Sequence, residues 1–239
     1  MSRKTIGVIG AMESEICHLK AKMESPVAEF YAGLTFYRGK MGKNDIVLVQ
    51  SGIGKVNAAR TAQVLIDRYA PDYLINTGIG GGIGDGLHVG DLVIGTELVQ
   101  HDFSLSLFGY AKGYIPGFGD GKTPTFFRAD PGLVRAFSES AQAFLPNGSI
   151  RQGRIASGDI FVADAEIKGE IKREFSADAV EMEGAAIAQA AVLNNIPFVV
   201  VRAVSDLADG SATESFERFE EETAVLSAKI VELCVSKLS

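Results

Sequence analysis

The chain has 239 residues, 46% hydrophobic and 22% charged, with 23 Lys and Arg against 30 Asp and Glu for a formal net charge of −7. That balance excludes a disordered protein, and no composition shift or linker divides the chain, so one domain with a large core is expected. No apolar run approaches the roughly 18 residues that span a bilayer, and no basic stripe follows a phosphate backbone, which excludes membrane and polymeric nucleic acid as partners.

Met1 to Thr5 contain no secretory apolar stretch, which points to a cytoplasmic protein. From there, extended and helical patterns alternate. Thr5 to Ile9 reads as a strand, Met12 to Met23 as a helix, Asp45 to Gln50 as a strand, Val56 to Tyr69 as a helix and Tyr73 to Asn76 as a strand. Leu92 to Val99 and Arg154 to Ser157 add strands, while Pro131 to Phe144 and Ala165 to Phe175 read as helices. Val180-Glu181-Met182-Glu183-Gly184 leads into an alanine-rich helix, and Phe198 to Val201 has the β-branched run of a strand buried on both faces. The last helix carries Phe216, Phe219, Val225, Leu226, Ile230 and Leu233 at helical spacing. This rhythm predicts an α/β fold, a helix-flanked sheet with a parallel core.

Asp102 to Lys122 breaks the rhythm, with seven aromatic or leucine side chains among several glycines and Pro116. Two readings are open: a lid or subunit contact, or a loop folded onto its own core. Cys17 and Cys234 lack metal-ligand or disulfide spacing and read as reduced, buried thiols on helices.

Ligands of open α/β sheets sit beyond the carboxyl ends of the strands, which is where Arg202, Ser205 and Asp206 would emerge, with Glu183 from a neighbouring junction. In the first turn, Gly7 to Glu15, the glycines and the helix start would suit an anion, but Glu13 and Glu15 argue against phosphate. Either acid can orient a water molecule and accept its proton, or simply complement the helix dipole. The glycine-rich stretch Asn76 to Gly84 reads as a turn and fits no dinucleotide fingerprint. Gly52-Ile53-Gly54-Lys55-Val56 lacks the earlier glycine and the following hydroxyl of a phosphate loop. The three scattered histidines offer no metal site, and no serine sits in a nucleophile elbow. Phe161, after Ser157-Gly158-Asp159, reads either as a ring-stacking platform or as a core residue.

Five segments, Gly10-Ala11-Met12-Glu13-Ser14-Glu15, Ser51 to Val56, Ser157-Gly158-Asp159, Val180 to Glu183 and Arg202-Ala203-Val204-Ser205-Asp206, resemble the bacterial 5′-methylthioadenosine/S-adenosylhomocysteine nucleosidases, in that family's order and across nearly the whole chain. The resemblance implies a single-domain three-layer sandwich of the purine nucleoside phosphorylase kind, its central mixed β-sheet flanked by helices. It also implies a homodimer that hydrolyses the N-glycosidic bond of 5′-methylthioadenosine, S-adenosylhomocysteine and 5′-deoxyadenosine without cofactor or metal. Asp206 corresponds to the general acid at the purine and Glu15 to the residue that activates water, with Arg202 in its hydrogen-bond network. Glu183 corresponds to the acid that holds the ribose hydroxyls. Phe161 would stack on adenine, the backbone of Val162 would read its edge, and Met12 and Met182 would pack around the ribose beside Ser205. Phe216 and, from the partner subunit, Leu105, Phe108 and Pro116 would line the pocket for the 5′ substituent. Ile79 departs from the family, many of whose members carry a small hydroxyl residue there. The alternatives are a purine nucleoside phosphorylase, a hydrolase that also cleaves aminofutalosine, and a nucleoside-binding or storage protein without catalysis.

Overall fold

The computed structural model describes residues 3–238; Met1 and Ser2, on which the reading of the chain's start partly rests, lie outside the described residues. The elements run β1 (Thr5–Gly10), α1 (Glu13–Lys22), β2 (Glu24–Tyr31), β3 (Leu34–Met41), β4 (Asn44–Gln50), α2 (Lys55–Tyr69), β5 (Tyr73–Gly82), β6 (Leu92–Gln100) and β7 (Phe127–Arg128). They continue through α3 (Pro131–Ala141), β8 (Ile150–Ser157), α4 (Ala165–Phe175), β9 (Ala179–Glu181), α5 (Gly184–Leu193), β10 (Phe198–Asp206) and α6 (Ala212–Lys237).

The strands with unbroken apolar runs pair in parallel in the order β4-β1-β5-β10, with Ile46 beside Ile6 and Leu74 beside Phe198. Buried on both faces, they need helices on both faces. A Cβ on Gly7 would lie 2.6 Å from Leu65 of α2, and one on Gly10 would lie 2.7 Å from Ile16 of α1. Side chains alternate along a strand, so these two positions look to opposite sides and place α1 and α2 in different layers. α6 packs along β5 and β10 with α1 and α3 against it, and α2 packs on α5. The sheet is mixed and flanked by helices, as expected. No helix among the described residues is long and apolar enough to cross a membrane.

One half of the sheet closes on itself. β10 pairs with β5 on one side and, antiparallel, with β6 on the other; β6 pairs with β8, β8 with β9, and β9 returns to β5 through Gly81 beside Val180. Five strands thus form a ring, and β5 and β10 are common to the ring and to the parallel core.

Several sequence-based expectations change. The stretch from Gly78 to Gly82 is strand, a continuation of β5, and not a turn. Its glycines leave room for neighbours: a Cβ on Gly78 would run into the Glu15 carboxylate, and one on Gly80 would lie 2.9 Å from the Val180 carbonyl oxygen. β10 likewise runs on to Asp206, so Arg202 is inside the strand and not beyond its end. The hairpin of β2 and β3 was not foreseen. Its two-residue turn holds Ala32 and Gly33 at φ 51° and 75°, a geometry usually signalled by Asn or Gly at both positions, and exposed Val27, Phe30 and Tyr31 blur the alternation of β2. Cys234 is buried, which pushes its thiol up to about 12, but Cys17 is only partly buried. The aromatic segment folds onto the core in part only. Tyr114 and Ile115 are buried, with Tyr110 stacked on Tyr114, whereas Leu107 and Phe108 stand out from the surface.

Candidate active site

Glu15 is the third residue of α1, a position from which a glutamate reaches back over its own helix start. Its Oε2 accepts from the N–H of Ala11 at 2.6 Å and of Met12 at 3.1 Å, and Oε1 accepts from Ile79 N–H at 3.1 Å across the sheet. Gly78 makes room for this. Burial pushes the Glu15 carboxyl above the usual range, against the opposing pull of Arg202 and the three N–H groups. Glu13, by contrast, is exposed in the first turn of α1 and is not among the residues that line the cleft, so the helix-dipole reading suits it alone.

Glu183 enters from the β9–α5 junction. Its Oε1 accepts from Gly54 N–H at 2.7 Å, in the turn before α2. Burial and then the neighbouring Glu181 charge push its carboxyl up to about 8, with Arg202 and the Gly54 N–H working the other way. Glu181 is the anchor of this corner. It accepts from Ser157 Oγ, from Glu183 N–H at 3.1 Å and from Gly184 N–H at 2.7 Å, and it pairs with Arg202.

Arg202 is therefore not where the sequence reading placed it. Its Nη2 donates to Glu181 and, at 2.5 Å, to Asn76 Oδ1, while Nη1 donates to its own strand at Val201 O, 2.9 Å away. The side chain is fully buried and does not line the pocket. Its link to Glu15 is one of charge through the protein, not a hydrogen bond. Burial disfavours the guanidinium, but Glu181, Glu15 and Glu183 together outweigh that and keep it charged.

Asp206 ends β10, where the register with β5 slips between Val204 and Asp206. Such a bulge re-aims the side chain that follows it. Ser205 Oγ donates to Asp206 Oδ2 and the Ala208 N–H donates to Oδ1, each at 2.8 Å. Burial nevertheless pushes the carboxyl above the usual aspartate range.

These groups meet in one cleft of about 610 Å³, its open mouth included. Its lining holds Glu15, Asp206, Met12, Ile79, Phe161, Val162, Met182, Glu183, Ser205 and Phe216, which is every residue expected from this subunit except Arg202. Phe161 and Phe216 meet edge to face at 5.9 Å, so an aromatic wall faces the carboxylates. Phe161 is 47% exposed, which rules out the core reading. Sequence reasoning missed Ala11, Ile53, Gly80, Gly81, Ile160, Val180 and Glu181 as lining. Gly81 was hidden by the assignment of a turn, and Glu181 by its place one residue before the methionine of the motif. Leu105, Phe108 and Pro116 lie outside this cleft. No Lys, Arg or His side chain lines it among the described residues.

An α/β sheet that gathers four buried carboxylates, Glu15, Glu181, Glu183 and Asp206, and an aromatic wall in one cleft defines an enzyme acting on a small, flat-ringed molecule. The chain belongs to the phosphorylase superfamily, whose model matches residues 5–236. It is 42% identical over 235 residues to a protein of Anoxybacillus flavithermus named 5′-methylthioadenosine/S-adenosylhomocysteine nucleosidase, covering 98% of this chain and 99% of that one. The crystal structure of the nucleosidase of the same name from Neisseria meningitidis, in complex with methylthio-immucillin-A, matches with a TM-score of 0.92 and 44% identity over 98% of this chain and 100% of that one. The futalosine hydrolase of Helicobacter pylori matches with a TM-score of 0.91 at 33% identity, covering 98% of each chain.

Proposed function

We propose that this protein is a 5′-methylthioadenosine/S-adenosylhomocysteine nucleosidase, which hydrolyses the bond between adenine N9 and the ribose C1′. The observation that carries the reading is the cleft itself: Glu15, Glu183 and Asp206 converge on an apolar pocket that has no cationic side chain in its lining among the described residues. Phosphorolysis needs cations to hold the attacking phosphate, and the buried Arg202 is spent on Glu181 and Asn76 and does not line the pocket. Water is the nucleophile that suits a carboxylate.

In this reading Asp206, its pKa raised by burial, carries the proton that passes to purine N7 as the glycosidic bond breaks. The bonding electrons leave with the base, which departs as neutral adenine. Glu15 takes a proton from the water that adds to C1′, completing 5-methylthioribose. Positive charge that develops on the sugar is favoured by the buried carboxylates more strongly than the neutral substrate is. Glu183, fixed by the Gly54 N–H, holds the ribose hydroxyls. The main chain of Ile79 contributes its N–H to Glu15, and its side chain closes the wall where a hydroxyl would otherwise stand.

The assembly is a homodimer in which Leu105, Phe108 and Pro116 of one subunit complete the other's pocket for the 5′ substituent. Phe108 is 77% exposed here, and Ile53 and Ile160 at the pocket mouth are also exposed, an apolar surface suited to a second copy. Aminofutalosine is a second substrate to test, since the likeness to the futalosine hydrolase covers 98% of the chain. The deciding experiment follows adenine release from 5′-methylthioadenosine in phosphate-free buffer and with phosphate added. Release in both supports hydrolysis, release only with phosphate assigns a phosphorylase, and binding without release assigns a storage protein.

A further inference from the structure

Two segments that carry pocket-lining residues, Gly52 to Val56 and Asp159 to Val162, are joined to each other and to a third, Gln100 to Asp102, by a closed circuit of polar contacts. Lys55 Nζ donates to Asp102 Oδ1 at 2.5 Å and to Gln100 Oε1 at 3.1 Å. Asp102 Oδ2 accepts from the Asp159 N–H at 2.9 Å, and Asp159 Oδ1 accepts from the Lys55 N–H at 2.8 Å, which returns to the starting residue.

The local chemistry is unusual for a helix start. A cation in the first turn opposes the helix dipole. α2 nevertheless opens on Lys55, has no acid in its first turn and has Gly54 at the cap, which offers no side chain. The missing cap is supplied by Asp159 from 104 residues further on. Gly54 adopts φ 97°, and a Cβ there would stand 3.1 Å from the Asp159 carboxylate, so this junction needs a glycine. A serine or aspartate cap would have satisfied the helix locally. The arrangement found satisfies it by tying two walls of the pocket together.

We infer that Lys55 and Asp102 are positioning residues for substrate binding. Their ion pair holds the turn that aims the Gly54 N–H at Glu183 against the turn that carries Ile160 and Phe161. The side chains are only 17% and 18% exposed, so the pair is shielded from the solvent that makes surface ion pairs weak. Burial works the other way, but Lys55 and the Asp159 N–H hold the Asp102 carboxyl below its usual range. Asp102 also opens the segment that carries Leu105 and Phe108, so the same pair anchors the base of that projection.

The assay with 5′-methylthioadenosine rests on the proposed function, whereas amide hydrogen exchange of the substrate-free protein does not. Lys55→Met should speed exchange by about tenfold in both 52–56 and 158–162. It should raise KM about tenfold while kcat stays within about threefold, the pattern of lost binding and not of lost chemistry. Lys55→Arg should restore both. Asp102→Asn keeps the side chain's shape, guards against a folding failure of Lys55→Met, and should loosen the same two segments. Faster exchange confined to 52–56, or an unchanged KM in a loosened variant, would overturn the inference. If the wild-type protein releases no adenine, the functional reading falls, and the exchange pattern alone decides whether the circuit joins the two walls.

Discussion

Glu183→Gln is the perturbation whose size follows most directly from the structure. A free glutamate titrates near about 4.3, whereas burial and the Glu181 charge hold Glu183 at about 8 in the folded protein. Between those two values the folded chain binds a proton that the unfolded chain has released. A raised folded-state pKa gives stability that is fully present below the unfolded value and is lost as pH rises through the folded one. One proton corresponds to a slope of about 1.4 kcal/mol per pH unit, or about 5 kcal/mol over the whole window, a large share of the typical ~5–15 kcal/mol of total stability. Glutamine keeps the shape and cannot ionise, so the variant escapes this loss. Urea unfolding of both proteins at intervals from about pH 5 to about pH 9 reads the difference. The variant should gain on the wild type as pH rises, and the gain should level off above about 8. A constant difference across the range would mean that Glu183 is already ionised at neutral pH, and the account of this corner would fail.

Asp206→Asn should reduce turnover by about 10²- to 10⁴-fold while leaving affinity for a non-hydrolysable adenine nucleoside nearly intact; full activity would remove the general-acid role, and isothermal titration checks the binding. Gly78→Ala should drive a methyl group into the Glu15 carboxylate and destabilise the protein by about 1–3 kcal/mol with a parallel loss of activity, measured by denaturant melts and adenine release. An unperturbed alanine variant would show that Glu15 can move aside and that its three N–H contacts do not fix it. Phe108→Ala should weaken binding of 5′-alkylthio substrates more than of adenosine; equal losses would detach this side chain from the pocket.

The parallel core was legible because β1, β4 and β10 are runs of β-branched and aliphatic residues that admit no other burial. Glu183, Ser205 and Asp206 were legible for a related reason, since polar residues at the ends of such strands have nowhere to point but into the crevice. Arg202 misled the same reasoning. A charged residue was taken to mark the end of a strand, yet Glu181 and Asn76 satisfy its guanidinium so fully that β10 carries it through the interior. The glycines of β5 misled it in the opposite direction. Glycine is read as turn chemistry, and only the position of the Glu15 carboxylate and the β9 backbone, both distant in sequence, explains why a strand is made of it. The Lys55 circuit has no local signature, because each of its members looks like an ordinary surface charge until the three segments are brought together.

The five-stranded ring has a consequence for how the protein comes into being. Its first strand begins at Tyr73 and its closing strand ends at Asp206, so a ribosome must deliver most of the chain before the circle can shut. β10 must then insert between β5 and β6, two strands already made and waiting with open edges. Pairings at such separations form slowly and leave strand edges open to other chains meanwhile. Asp206 lies on that final strand, so a nascent chain has no reactive cleft to expose. Phe216 of the pocket lining follows on α6, so the cleft can be complete only once the chain beyond β10 has been made, and chaperone dependence during synthesis should concentrate in the interval between the emergence of β6 and that of β10.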